Sequence, residues 1–126
     1  MTEPENRPSP RVTIETGTPF VRADLFGGRG EVRVLSLLHG PAEPFTAVLS
    51  CELAAGGTVG RHRQEEFPEI VIGLEGDGEA TIDDVARSLG PGDVLYLPFG
   101  SVLSIANRSD EAPLRYLIVK ARSARP

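Results

Sequence analysis

Glycine and proline interrupt this chain so often that long helices are excluded. The 126 residues include 14 glycines and 11 prolines, and no stretch of about 11 residues keeps a helical apolar spacing free of both. Short apolar or alternating segments lie between the breaks, at residues 32–38, 46–53, 70–74, 79–82, 85–89, 94–97, 103–107 and 114–121. Turn residues recur about every ten positions, so the pattern predicts an all-β domain of roughly eight to ten strands, folded as a sandwich, jelly roll or small barrel.

The two ends of the chain differ in composition from the rest. Residues 1–10 contain three prolines and no bulky apolar side chain except the initial methionine, which predicts a disordered tail and not a signal peptide. We expect a single folded domain over residues 11–122 and a short C-terminal tail over 123–126. The basic residues Lys120, Arg122 and Arg125 are interpreted as a solvated terminus.

Charge and cysteine content restrict the partners and the compartment. The chain has 13 basic and 18 acidic residues, a net charge of −5, which argues against binding to nucleic acid. Its longest apolar stretches are too short to cross a bilayer, so we expect a cytoplasmic protein without a membrane partner. The single Cys51 excludes an intramolecular disulfide. It alternates with Leu49 and Leu53 on one apolar face, which predicts an inert core thiol.

Two stretches have regularly spaced glycine, proline and polar residues. The first holds Gly56, His62, Gln64, Glu69 and Gly76, separated by five, one, four and six residues. The second holds Gly92, Pro98, Gly100, Leu103 and Asn107, separated by five, one, two and three residues. This spacing resembles the two motifs of the cupin superfamily, which place Gly, His, His, Glu, Gly and Gly, Pro, Gly, His, Asn at the same intervals. Four of the five positions match in each motif.

The matching positions also have a direct physical interpretation. The four glycines fall at strand junctions, where positive φ allows the chain to turn sharply. Pro98 ends one strand, and Asn107 begins a turn in which its side chain is expected to bond to the main chain. The resemblance implies a cupin-type double-stranded β-helix, a jelly-roll barrel. It also implies a homodimer, which would cover exposed edge strands.

In cupins the histidines and the glutamate of the two motifs hold a divalent metal inside the barrel. In this sequence Gln64 replaces the second histidine and Leu103 replaces the third. The resemblance therefore leaves His62 and Glu69 as conventional ligands, with Gln64 as a weak, tentative one. Because transition metals favour imidazole, we expect a weak or lost site for a divalent metal such as Mn, Ni, Zn or Fe.

The residues of the first motif also predict a pocket that does not depend on a metal. His62 and Gln64 are two positions apart, so both point to one face of an extended strand, and Glu69 opens the next segment. With Leu103 they form the predicted ligand pocket, in which His62 and Glu69 are the candidates for acid–base catalysis. The alternative is that His62 only hydrogen-bonds to Glu69. We expect His39 to lie in a surface loop and Glu65 and Glu66 to be solvated. Tyr96 and Phe99 are expected either to line the barrel mouth or simply to pack.

Three classes of function follow from these alternatives. The first is a protein that binds a small molecule in a pocket that has largely lost its metal. The second is an enzyme, either a metal-dependent dioxygenase or isomerase using His62, Gln64 and Glu69, or a metal-free isomerase using His62 and Glu69. The third is an interaction protein with the barrel as scaffold. Because one fold supports many chemistries, the sequence does not decide among them.

Overall fold

The computed structural model describes residues 19–122, so the tails predicted at 1–10 and 123–126 and the domain's first residues, 11–18, lie outside the described range. Within it there is no α-helix, and no helix long and apolar enough to cross a membrane. The strands are β1 Phe20–Ala23, β2 Glu31–Ser36, β3 Phe45–Leu53, β4 Thr58–Arg63, β5 Glu69–Glu75, β6 Gly78–Ile82, β7 Val85–Leu89, β8 Val94–Leu97, β9 Val102–Asn107 and β10 Leu114–Ala121. A short 3-10 turn, Leu25–Gly27, follows β1.

The strands form two antiparallel sheets that face each other. The larger sheet has six strands in the order β1-β2-β3-β10-β5-β8, and the smaller has four in the order β4-β9-β6-β7. Strands that are distant in sequence are neighbours in both sheets, as β3 and β10 are, which is the connectivity of a jelly roll. The predicted all-β fold and the jelly-roll barrel are confirmed.

The core lies between the inner faces of the two sheets. On β3 the predicted apolar face is confirmed, because Cys51 and Leu53 are buried in the core and Leu49 packs against it. The neighbouring strand of the same sheet, β10, contributes Leu114 and Tyr116, and β9 of the facing sheet contributes Leu103 and Ile105. A fully buried leucine contributes about 1.5–3 kcal/mol relative to an exposed one, so these alternating faces hold the sheets together.

The motif residues at the strand junctions have the expected conformations. All four motif glycines have positive φ, between 69° at Gly56 and 105° at Gly76. The Asn107 side chain does bond to the main chain: its Nδ2 donates to the carbonyl oxygens of Ala54 (3.1 Å) and Ala112 (2.9 Å). These bonds tie the end of β9 to the end of β3. They connect the small sheet to the large one beside the core.

Two elements near the start of the described range were not predicted. Strand β1 is exposed along its whole length, so no buried apolar face marks it in the sequence, and it forms by pairing with β2. The 3-10 turn lies against β4 with backbone touching backbone, because a Cβ on Gly60 would overlap the Phe26 carbonyl. Glycine at that position allows the turn to cover one side of the barrel.

Candidate ligand-binding site

A cavity of about 520 Å³ opens between the two sheets. Most of its wall is apolar and includes Leu49, Val59, Ile105 and Ile118, while one region of the wall is polar. The four residues of the predicted pocket, His62, Gln64, Glu69 and Leu103, all line this cavity, together with a residue that the sequence did not single out, Lys120. Their roles in binding a ligand stay predictions.

The His62 ring is held from two directions. Its Nδ1 lies 2.9 Å from the carbonyl oxygen of Gly60, and Phe26 of the 3-10 turn stacks on its face with ring centroids 4.0 Å apart. A carbonyl only accepts hydrogen bonds, so Nδ1 carries the proton in the neutral ring and Nε2 keeps its lone pair. His62 is thereby oriented by its own strand, without Glu69 as the partner of Nδ1.

The Gln64 side chain is buried without a hydrogen-bond partner for its nitrogen. Its backbone extends the pairing of β4 and β9: the Gln64 N–H donates to Ser101 and its carbonyl accepts from Gly100, each at 2.8 Å. The side chain is 6% exposed, and within residues 19–122 no acceptor of good geometry meets its Nε2. A buried donor left unpaired costs about 1–3 kcal/mol, which makes Nε2 a candidate contact for a bound molecule.

Glu69 is a buried carboxylate at the start of β5. It is 5% exposed, and it lies directly across the strand pairing from Lys120 on β10. The Lys120 Nζ is 3.4 Å from Glu69 Oε2. Burial raises the pKa of Glu69, against the opposing influence of Lys120 first and of His62 and Gln64 after it. The carboxylate thus pairs with a cation supplied by the chain itself.

The prediction that Lys120 belongs to a solvated basic tail is wrong. Lys120 is inside strand β10, 34% exposed, with its ammonium group at the cavity. Arg122, by contrast, is exposed and pairs with Glu43, as expected of a surface residue. The signal that identifies Lys120 is its two-residue alternation with Tyr116 and Ile118, which also line the cavity. The positive charge that Lys120 shares with Arg122 and Arg125 does not reveal this alternation.

Leu103 places an apolar side chain where the second motif has histidine. It is directly opposite His62 in the pairing of β4 with β9 and is 2% exposed. Cys51 and Tyr116 complete this part of the core. Burial raises the pKa of the Cys51 thiol to about 12, as expected for an inert core thiol. Burial also raises the pKa of Tyr116 well above its ordinary value.

The remaining sequence candidates have exposed side chains. Glu65 and Glu66 are exposed, as predicted, at the edge of the cavity. His39 is exposed in the loop after β2. Tyr96 and Phe99 are 63% and 60% exposed and do not line the cavity.

The side chains at the motif positions do not fit the metal that the family resemblance implies. Leu103 offers no donor atom, and Gln64 offers only the neutral oxygen of its amide, a weaker ligand for a transition metal than the imidazole that it replaces. The Glu69 carboxylate already faces an ammonium group, which would repel a metal cation. In the described part of the chain, no three His, Cys, Asp or Glu side chains are grouped closely enough to hold a metal ion.

Comparisons with known proteins agree with the fold. The family profile described as Cupin domain matches residues 49–120. The dimethylsulfoniopropionate lyase DddW of Ruegeria pomeroyi is 35% identical over 98 residues, 76% of this chain. That alignment covers 64% of the lyase, so the chain spans less than two thirds of this relative's length.

Solved structures extend the comparison over most of the barrel. A predicted oxalate decarboxylase from Thermotoga maritima is similar with a TM-score of 0.81 and 28% identity, over 90% of this chain and 99% of that one. A Cupin 2 conserved barrel domain protein from Salinispora arenicola is 31% identical with a TM-score of 0.63, over 73% of this chain and 76% of that one. With a profile match over more than half of its length, this chain belongs to the cupin family.

Proposed function

We propose that this cupin binds a small organic molecule in the barrel cavity without a tightly held transition metal. The observation that carries the proposal is a cavity of about 520 Å³ with an apolar wall and a few buried polar groups. Pockets of this size and composition are typical of sites for small molecules, in which the polar groups fix the orientation of the ligand. The unpaired Nε2 of Gln64 supports this, because a bound molecule would supply its missing acceptor.

The charges around the cavity favour a ligand of low net charge. Three side chains of the lining are basic and three are acidic, Arg22, Arg63 and Lys120 against Glu65, Glu66 and Glu69. Deep in the cavity, the Lys120–Glu69 ion pair carries no net charge. A ligand with several charges of one sign would lose its hydration without enough compensation from the protein.

The experiment is a ligand screen followed by NMR. Chelator-treated protein is titrated with a library of small organic acids, alcohols and ketones while backbone amide signals are recorded. We expect at least one compound class to shift amides of β4, β5 and β10 and to leave those of β7 unchanged. Ile118→Trp, which fills part of the cavity, should weaken this binding, whereas Val119→Trp on the opposite face of β10 should not. A screen without cavity shifts, or with shifts only after metal is added, would contradict the proposal.

A second candidate is an enzyme that transfers protons without a metal. Two features favour it: the His62 Nε2 lone pair and the Glu69 carboxyl, whose pKa is raised by burial, are both suited to acid–base chemistry. The similarity to a dimethylsulfoniopropionate lyase suggests dimethylsulfoniopropionate as the first substrate to test. Turnover that survives chelation and is lost in Glu69→Gln would favour this candidate. Binding without turnover would leave the first one.

A homodimer stays a prediction. Light scattering on the full chain measures it directly, with a mass of twice 13.5 kDa expected. A monomer across the whole accessible concentration range would contradict it.

A further inference from the structure

We propose that Lys120 and Gln64 form an anion-binding subsite inside the cavity and that the ligand is a small monocarboxylate with an apolar body. This inference rests on the proposed function, since it assumes that the cavity binds a small molecule, and it specifies the chemical class of that molecule. In this arrangement the ammonium group of Lys120 supplies the positive charge that a metal supplies in other cupins.

Near Glu69, the Lys120 and Gln64 side chains have N–H donors that find no hydrogen-bond acceptor among the described residues. Lys120 carries three N–H donors and is paired with a single carboxylate oxygen, 3.4 Å from its Nζ. Gln64 carries two more on Nε2, which is buried near Glu69 but makes no hydrogen bond of good geometry in the part of the chain described here. A ligand carboxylate has two oxygens and accepts several hydrogen bonds. It would satisfy Gln64 and share the Lys120 ammonium with Glu69.

Electrostatics select among the possible ligand head groups. A cationic head group would meet the Lys120 ammonium, and like charges at close range in a partly buried site repel strongly. A dianion would meet the Glu69 carboxylate inside and Glu65 and Glu66 at the edge of the cavity. A single negative charge meets less of this repulsion than a dianion does, and the free N–H donors of Lys120 and Gln64 compensate it.

The rest of the ligand is determined by the apolar wall. Residues on both sheets provide it, namely Leu49, Val59, Leu103, Ile105 and Ile118. Leu103 belongs to this wall and lies opposite His62 in the strand pairing, at the position where the family motif has a third histidine. Replacing that histidine by leucine removes a polar group and adds surface for hydrocarbon, so an aliphatic or aromatic acid is favoured over a small, fully polar one.

The test compares acids with their uncharged amides by calorimetry on the full chain. The probes are benzoate and butyrate against benzamide and butyramide. On the unsubstituted protein we expect each acid to bind about tenfold or more tightly than its amide, because hydrogen bonds to charged groups are the stronger ones. Lys120→Met should weaken benzoate about tenfold and benzamide by no more than about twofold. Gln64→Met should weaken benzoate about fivefold.

The matched control is Arg122→Met. It removes a basic side chain two positions from Lys120 that is exposed and paired with Glu43 outside the cavity, so benzoate affinity should stay within about twofold. Gln64→Met tests the subsite independently if Lys120→Met is poorly folded.

The outcomes that follow contradict the proposal of an anion-binding subsite. If acids bind no better than amides, or if Lys120→Met and Arg122→Met behave alike, the subsite is wrong while the proposed small-molecule function stands. If no acid binds but neutral compounds of the NMR screen do, the same conclusion follows. If nothing binds in the cavity, both proposals are wrong.

Discussion

Two pairs of neighbouring side chains, one on each sheet, line the same cavity and differ in character. On the six-stranded sheet Glu69 is paired with Lys120, and their charged groups are 3.4 Å apart. On the four-stranded sheet His62 is paired with Leu103, an imidazole beside a hydrocarbon. The first pair contains its own cation and anion, and the second contains a single polar ring whose position is fixed by Gly60 and Phe26.

The difference lies in how each pair treats a polar group in the cavity, and the Glu69–Lys120 pair supplies the counter-charge of its carboxylate from the protein itself. A carboxylate that is 5% exposed needs a compensating positive charge. Here a lysine on the neighbouring strand provides it. In the second pair Leu103, which is 2% exposed, adds to the apolar wall beside His62. A lysine at position 120 and a leucine at position 103 thus agree with each other: the first adds a cation beside Glu69, and the second removes a possible metal ligand.

The largest effect is expected when the ion pair loses its cation. Lys120→Met leaves the Glu69 carboxylate buried and unpaired, and we expect a loss of about 3 kcal/mol of unfolding free energy near pH 8, at the low end for buried pairs because Lys120 is partly exposed. Urea unfolding measures it. The double variant Lys120→Met with Glu69→Gln should recover most of the loss. No recovery would show that the lysine acts through packing and not through charge.

A smaller loss is expected when the other pair is made polar. Leu103→His places an imidazole in an apolar wall where Leu103 is 2% exposed, at a cost of about 2 kcal/mol in the absence of metal. Leu103→Met is the matched control, since it keeps the volume and the apolar character and should cost less than about 1.5 kcal/mol. Equal losses in the two variants would contradict the apolar role of this position.

Removing the ring that covers His62 should have a more modest effect. Phe26→Ala removes the stacking contact and is expected to cost about 1 kcal/mol. Phe99→Ala removes a ring of nearly the same exposure, 60% against 58%, that does not line the cavity. It should therefore change the unfolding free energy less than Phe26→Ala does. The reverse order would show that the Phe26–His62 contact contributes nothing to stability.

The smallest effect is expected from pH on the unsubstituted protein. Burial raises the pKa of Glu69 above its ordinary value of 4.5, so the folded chain holds this proton more tightly than the unfolded chain does. That contribution to stability is complete below about pH 4.5 and is lost as the pH rises through the pKa of the folded state. Glu69→Gln should lack this decline. Unfolding curves that differ by the same amount at every pH would contradict it.

The sequence predicted the scaffold better than it predicted the polar groups of the cavity. Turns such as Gly76 and Asn107 are determined by local backbone conformation and hydrogen bonding, so their spacing is informative by itself. Strand β1 depends on an edge offered by β2, which no local pattern reveals. The role of Lys120 depends on which residue faces it across the strand pairing with β5, and a charge count does not contain that information.

The residues of the first motif line one cavity, but the contacts among their side chains do not follow from their spacing in the sequence. The His62 ring is held by Gly60 and Phe26, and the amide nitrogen of Gln64 stays unpaired in the described part of the chain. Such relations depend on side-chain directions in three dimensions. A two-residue alternation along β10 would have brought Lys120 into the predicted pocket.

The most direct test of the central claim, that the Lys120 ammonium takes the place of a metal beside Glu69, is Ni²⁺ affinity measured by calorimetry on chelator-treated protein. Restoring the two missing imidazoles with Gln64→His and Leu103→His should give only weak binding while Lys120 is present, because the ammonium group repels the metal. Adding Lys120→Met should tighten binding about tenfold or more over the double variant. Equal affinity of the double and triple variants, no binding by the triple variant, or tight stoichiometric Ni²⁺ binding by the unsubstituted chain would contradict the claim.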